Sequence, residues 1–351
     1  MLTPARTVLA PLSFWFHDLG SCLHDCLGTV LLYYGKDPAL TLGAAWEFYH
    51  SPRDFSREEF YYPLPRPTLA ESMMPFHPVR STWHRSDDAA AAWAAVKEVV
   101  GNGQPVIVAD DNFYLPFRPA FGDVHSAHLL VMYGFDEAAD EVYVLDSVPP
   151  AFQGAIAVRD FLAARRSTTA REGDRDFFFA GTPIANRWLY LEVGADFPEL
   201  TRDWVSEVVA TNLRRFRETV PGEAFSGLAG LGRYLRGICE RAAGAAGGRA
   251  LEELHGVAYA CQGAVALHAD FLMAAGRRLG WYELAEVGRQ VDFLAGSWTG
   301  LRMLASHGFA EGLDVVDRVA RRAAQLVLEQ ERVLDRLEGT IRTGVRPMRR
   351  S

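Results

Sequence analysis

The 351-residue sequence predicts an α+β domain followed by an all-α domain. Three observations carry this reading. An apolar helix pattern near residues 26–34 precedes three short apolar runs of strand length, at 106–109, 129–133 and 142–145. The last two runs flank a polar reversal, Asp136 to Glu141, so they should pair antiparallel. Beyond about residue 200 the helical period dominates and the strand signal almost vanishes. The character changes at Ala195-Asp196-Phe197-Pro198, which gives domains of 1–195 and 196–351.

Residues 1–20 are a lead-in rich in Pro and aromatics. The first helix should start at Cys26, with Asp25 as its cap and Gly35 as its stop. Residues 39–48 read as a second helix. Residues 50–70 form an irregular aromatic excursion in which Phe60, Tyr61 and Tyr62 either line an acceptor pocket or pack the loop itself. A helix from Asp87 to Val100 is capped near Ser86-Asp87 and stopped by Gly101. The buried strand 106–109 follows and ends on Asp110, Asp111 and Asn112. Ala155 to Val158 suggests a strand and Asp160 to Arg165 a helix. Phe177 to Phe179 and Trp188 to Leu191 read as further strands. Helices are expected near 201–219, 224–243, 249–276, 281–306 and 311–341. The apolar positions Trp281, Phe293, Trp298, Leu301 and Leu304 recur at helical spacing, as core positions do.

Bulk properties narrow the functional classes. A composition 49% apolar and 23% charged is that of a globular protein. No apolar run reaches the length of a membrane span, and the start lacks the layout of a signal peptide, so no membrane partner and a cytoplasmic location are expected. Four scattered cysteines (22, 26, 239 and 261) do not make a disulfide framework. A net charge of −8 argues against nucleic acid as a partner. No phosphate-binding Gly-rich loop ends in Lys-Ser/Thr, so no nucleotide cofactor is expected. The spacing of His17, Cys22, His24 and Cys26 matches no closed zinc pattern, so no metal is expected either.

The chemistry lies in three motifs. Cys26 opens an apolar helix, His128 opens an apolar strand, and Asp146 ends the next strand. Cys, then His, then an orienting acid is the order of a papain-like thiol site. A helix start and a neighbouring imidazolium both stabilise a thiolate. The hairpin brings His128 and Asp146 side by side, while the meeting of Cys26 with His128 needs the tertiary fold. Cys22 falls upstream of the expected helix start and reads as a core or neighbouring thiol. His125 should sit in the loop before the strand, and Asp136 suits the reversal. A papain-type oxyanion hole uses a Gln shortly before the Cys; no Gln precedes Gln104 here, which leaves Ser21, His24 and His17 as candidate donors beside the Cys26 N–H.

The stretches His24 to Gly35, His125 to Asp136 and Val142 to Asp146 resemble the N-terminal domain of the butirosin-biosynthesis acyltransferase family. That family carries a Cys before a helix ending in Tyr-Gly, then a His-x-x-His-x-Val-Val-x-Gly-Tyr-Asp block and a Val-x-Val-x-Asp strand. The helical region resembles the domain that often follows, through Phe225 to Leu231 and Phe271-Leu272-Met273. Where that domain usually has a Gly-rich turn and an Arg, this chain has Cys261-Gln262-Gly263 and His268, so no functional residue is carried over there. The resemblance implies a papain-like cysteine acyltransferase. It would take an acyl, aminoacyl or peptidyl group from the phosphopantetheine thioester of a carrier protein to a small amine acceptor in specialised-metabolite biosynthesis, with no bound cofactor. The same triad also serves a thioesterase, a cyclase or a peptidase, and an inert carrier-binding module is the reading outside enzymes. A carrier would need a positive patch, and Arg165-Arg166, Arg214-Arg215-Arg217 and Arg233-Arg236 are the Arg-rich segments.

Overall fold

The computed structural model describes residues 5–51, 65–169, 181, 183–218, 225–245, 247–312 and 314–344. The expected acceptor-pocket aromatics Phe60, Tyr61 and Tyr62 and the expected strand Phe177–Phe179 lie outside the described residues. In chain order the elements are β1 (Arg6–Val8), α1 (Cys22–Tyr33), α2 (Pro38–Leu42), β2 (Tyr49–His50), α3 (Leu69–Met73), β3 (Val79–His84), α4 (Ala89–Gly101), β4 (Val106–Asp111), β5 (Ala127–Asp136), β6 (Glu141–Asp146), β7 (Phe152–Ala157), α5 (Val158–Arg166), β8 (Trp188–Val193), α6 (Arg202–Arg217), β9 (Phe225–Ser226), α7 (Gly227–Ala242), α8 (Gly247–Arg278), α9 (Tyr282–Glu311) and α10 (Val316–Gly344).

The chain divides into two compact units. The first comprises residues 1–38 and 79–193, the second residues 39–78 and 194–351. Residues 39–78, which fall inside the sequence-expected span 1–195, thus group with the helical unit.

The first unit is α+β and is built on a seven-stranded antiparallel sheet of order β3-β8-β4-β5-β6-β7, with β1 paired to the far part of β5. The β5–β6 hairpin is the one the sequence predicts, and its register runs from Asp136↔Glu141 to Val131↔Leu145. Alternate residues share a face. Val106, Val108, Leu130, Met132, Val142 and Val144 pack with Val96 and Val100 of α4 and Phe161 and Ala164 of α5. The intervening Ile107, Ala109, Leu129, Val131 and Leu145 are buried too, and α1 packs on β4 and β5. Burial on both faces explains why these strands read as continuous apolar runs.

The second unit is helical. Its helices lie within a few residues of the expected ones, and the small β2–β9 ladder is its one strand pairing among the described residues. The expected helix 39–48 stops at Leu42. Gly43 runs against the backbone of α8, where an added Cβ would stand 2.1 Å from the Leu267 carbonyl oxygen; the chain there packs edge-on rather than coiling. Asn212 and His268 hold this turn by hydrogen bonds to the Ala44 and Gly43 carbonyls, at 2.8 Å each. One helix, α8, is long and apolar enough to cross a membrane, contrary to the sequence expectation; 61% of its apolar window is buried within the protein, as in the core helix of a folded domain.

Candidate functional site

The first helix begins one turn earlier than its apolar run suggests. Ser21, in extended backbone, caps it. Its hydroxyl accepts the His24 N–H, and its own N–H donates to His24 Nδ1 at 3.2 Å, so cap and third residue satisfy each other. Burial holds His24 down at about 3, and a neutral ring suits that acceptor role. Asp25, the expected cap, instead accepts the His17 N–H at 3.2 Å and ties the lead-in to the helix. Trp15 seals the same contact, since an added Cβ on Gly28 would fall 2.1 Å from its ring.

This register decides which thiol opens the helix. Cys22 is the first helical residue and is half-buried. Cys26 lies a turn deeper, 5% exposed. Burial first, and then the charges of Cys22, Asp146, Asp25 and Asp110, push its thiol well above the ordinary range. Cys26 is therefore the more deeply buried of the two thiols, and the sequence expectation that placed it at the helix start is corrected by the Ser21 cap.

His128 and Asp146 meet as expected. His128 Nε2 lies 2.8 Å from Asp146 Oδ2, with both side chains buried. The register continues one step beyond Val131↔Leu145 to set Leu130 against Asp146, so His128 lies two residues along on the same face. Cys22 acts on the His128 ring as well. Asp146 holds Nε2, so Nδ1 is the nitrogen not committed to the acid. Burial alone pulls the imidazole down, but the Asp146 carboxylate and the Cys22 thiol more than reverse it and raise it to about 10. Cys22 in a first helical turn beside an imidazolium has the two features by which proteins activate a thiol.

Arg118 is a member of the site that the sequence reading missed. It sits on the loop between β4 and β5 and donates to Asp146 Oδ2 at 3.1 Å and to the Val148 carbonyl at 3.0 Å. A lone Arg in a Pro- and Phe-rich loop gave no signal. The Val148 N–H also donates to Asp146 Oδ1 at 3.0 Å. The Asp146 carboxylate is thus held on both oxygens, as an orienting acid must be.

His125 lies in the loop before β5, as expected, and is held there in a second buried pair. Its Nδ1 lies 2.6 Å from Asp111 Oδ2, and its ring stacks on Phe113 at 4.2 Å. Asp111 also accepts the N–H groups of Phe113 and Ser126, at 3.1 and 3.0 Å, and the Ser167 hydroxyl at 2.5 Å. These bonds clamp both ends of the loop that carries Arg118. Asp136 caps its own reversal by accepting from Ala138 and Ala139. Of the Arg-rich segments, Arg165 is buried and bonds the Asn186 and Arg187 carbonyls. Arg215 and Arg217 pair with Glu47 and Glu338. No group of three or more potential metal ligands occurs among the described residues.

A helix-opening thiol, a strand-borne imidazole and an acid on the next strand thus follow one another in this order on an α+β scaffold. Residues 21–147 match the family described as "Butirosin biosynthesis protein H, N-terminal". The match opens on the cap Ser21 and closes one residue past Asp146, so it encloses every residue of the site. It supports the butirosin-biosynthesis acyltransferase-like family. Among curated proteins, none matches the chain.

Proposed function

We propose that the protein is a cysteine-dependent acyltransferase of specialised-metabolite biosynthesis, with Cys22 as nucleophile, His128 as proton carrier and Asp146 as the acid that orients it. The observation that carries this reading is the buried His128–Asp146 pair, its aspartate clamped on both oxygens, together with a half-buried first-turn thiol on the helix that packs on the same strand. The thiolate attacks the carbonyl of a thioester and the Cys22 backbone N–H, at the helix start, faces the developing oxyanion. The donor thiol leaves as His128 returns a proton. An amine then attacks the acyl-enzyme, His128 takes its proton, and Cys22 is released. Helix, strand and strand in this order support a papain-like arrangement of the first unit.

The acyl donor on a carrier protein and the small amine acceptor come from the resemblance to the butirosin-biosynthesis acyltransferase family and from no residue here. A hydrolase with the same triad would pass the acyl group to water instead. The test is to incubate the protein with an acyl N-acetylcysteamine thioester, read the adduct by intact mass, and map it. An acyl group on Cys22 that is discharged faster by added amine than by buffer supports transfer. Equal discharge with and without amine would leave hydrolysis, and no adduct would sink the thiol mechanism.

A further inference from the structure

The row of polar side chains across the sheet end has a third member. β4 pairs with β5 so that Asp110 stands directly opposite His128. Directly paired residues share a face, so Asp110, His128 and Asp146 continue the apolar rows of β4, β5 and β6 as a line of acid, imidazole, acid. The two acids differ. Asp146 is bonded on both oxygens. Asp110 is wholly buried, and neither of its carboxyl oxygens has a hydrogen-bond partner. A buried carboxyl without a hydrogen bond is costly, and proteins rarely keep one without a use.

We infer that Asp110 is a positioning residue for His128, its uncommitted carboxylate supporting the imidazolium from the strand opposite Asp146. This rests on the assignment of His128 as proton carrier. The charged groups around Asp110 are His128 on β5, Asp146 on β6, Asp111 on its own strand, Cys26 on α1 and Arg165 on α5. Burial outweighs the two cations and raises Asp110 to about 7, so it changes charge within the working range while Asp146 stays paired. With Asp110 ionised the imidazolium is flanked by two acids; with Asp110 protonated it keeps one. The site therefore holds its proton more firmly above neutrality than a single His–Asp pair would.

The experiment follows transfer from an acyl N-acetylcysteamine thioester to an added amine across pH. The upper limb of kcat/KM reports loss of the imidazolium proton. Asp110→Asn and Asp110→Leu should each move that limb to lower pH by about half a unit or more, the scale of one neighbouring charge. In the wild type, the His128 ring signals followed by NMR should show a second inflection near pH 7 from Asp110. A limb that stays in place in the folded variants, or a single-step His128 titration, overturns the inference. His128→Gln is the control that separates the two claims. If it leaves the upper limb intact, His128 is not the proton carrier; if it removes the limb while the Asp110 variants do not shift it, only the role of Asp110 fails.

Discussion

Replacing each thiol of α1 in turn tests the assignment of the nucleophile. Cys22→Ala removes the sulfur that acts on His128 and leaves the packing around a half-buried position almost unchanged. Loss of a nucleophile costs roughly a thousandfold or more in turnover, which is about 4 kcal/mol of transition-state stabilisation. Ser21 still caps the helix and His128 still pairs with Asp146, so thermal stability should stay within the usual range for a site near the surface. Cys26→Ala is the opposite case. Its sulfur is 5% exposed among Leu23, Leu27 and Val30 of the same helix, all buried. Truncation there leaves a small void and costs about 1 kcal/mol of stability, while turnover should fall by less than about tenfold. The assay is intact-mass detection of the acyl adduct, with unfolding curves for both variants. An adduct that persists in Cys22→Ala and vanishes in Cys26→Ala would refute the argument from helix register.

Asp146→Asn should lower turnover by roughly tenfold to a thousandfold with donor KM little changed, because it removes the charge that holds the imidazolium; an unaltered pH profile of Cys22 alkylation would show that Asp146 lies outside the site. Gly28→Ala places a Cβ inside the Trp15 ring and should cost about 1–3 kcal/mol in denaturant unfolding, with a matching loss of alkylation control at Cys22 as the lead-in shifts. His128 is raised in the folded state to about 10, so its contribution to stability is fully present below its unfolded value of about 6.5 and is lost as pH rises towards 10. The stability difference between wild type and His128→Gln should accordingly shrink between pH 6.5 and 10, read by urea unfolding across that window.

The parts of the site that were legible in the sequence are those set by neighbours in the chain. A hairpin fixes its own register, so His128 and Asp146 could be paired from the apolar runs and the reversal between them. The helix start was not legible in the same way. The run after Cys26 is apolar, but Leu23 is buried as well, and the polar residues between them are inside: His24 and Asp25 are each 2% exposed. A polar residue inside a helix's first turn reads as a cap when its partner is unseen. Asp25 was read so because its bond to the His17 N–H depends on how the lead-in folds back. Arg118, Asp110 and the His125–Asp111 clamp share that limit, for each acts across a loop or a strand pairing. The missing Gln was legible, and the first-turn N–H of Cys22 is one of those that a helix start leaves without a partner inside the helix.

A thiolate needs positive surroundings, and this site has more acid than base around it. Asp25, Asp110 and Asp146 all act on Cys26 or its neighbours, and an ionised set of three would oppose a second anion on Cys22. The structure meets this in two ways. Asp146 is paired with Arg118 as well as His128. Asp25 and Asp110 are raised by burial to about 7 each, so both retain much of their proton at neutrality. In the proposed mechanism an anion on Cys22 then faces His128 and Arg118 rather than three ionised carboxylates. This makes the site sensitive to pH from the carboxyl side as well as from the imidazole. As pH rises past 7, the two buried acids ionise before His128 loses its proton, which strengthens the imidazolium. An amine acceptor becomes more nucleophilic over the same range. Proton transfer from that amine to His128 at the second step needs a neutral imidazole, and in the proposed mechanism acylation of Cys22 removes the anion beside the ring while His128 gives its proton to the departing donor thiol. In the proposed mechanism the balance between the two half-reactions is therefore set by the buried acids of the sheet and of α1 and not by Cys22 and His128 alone.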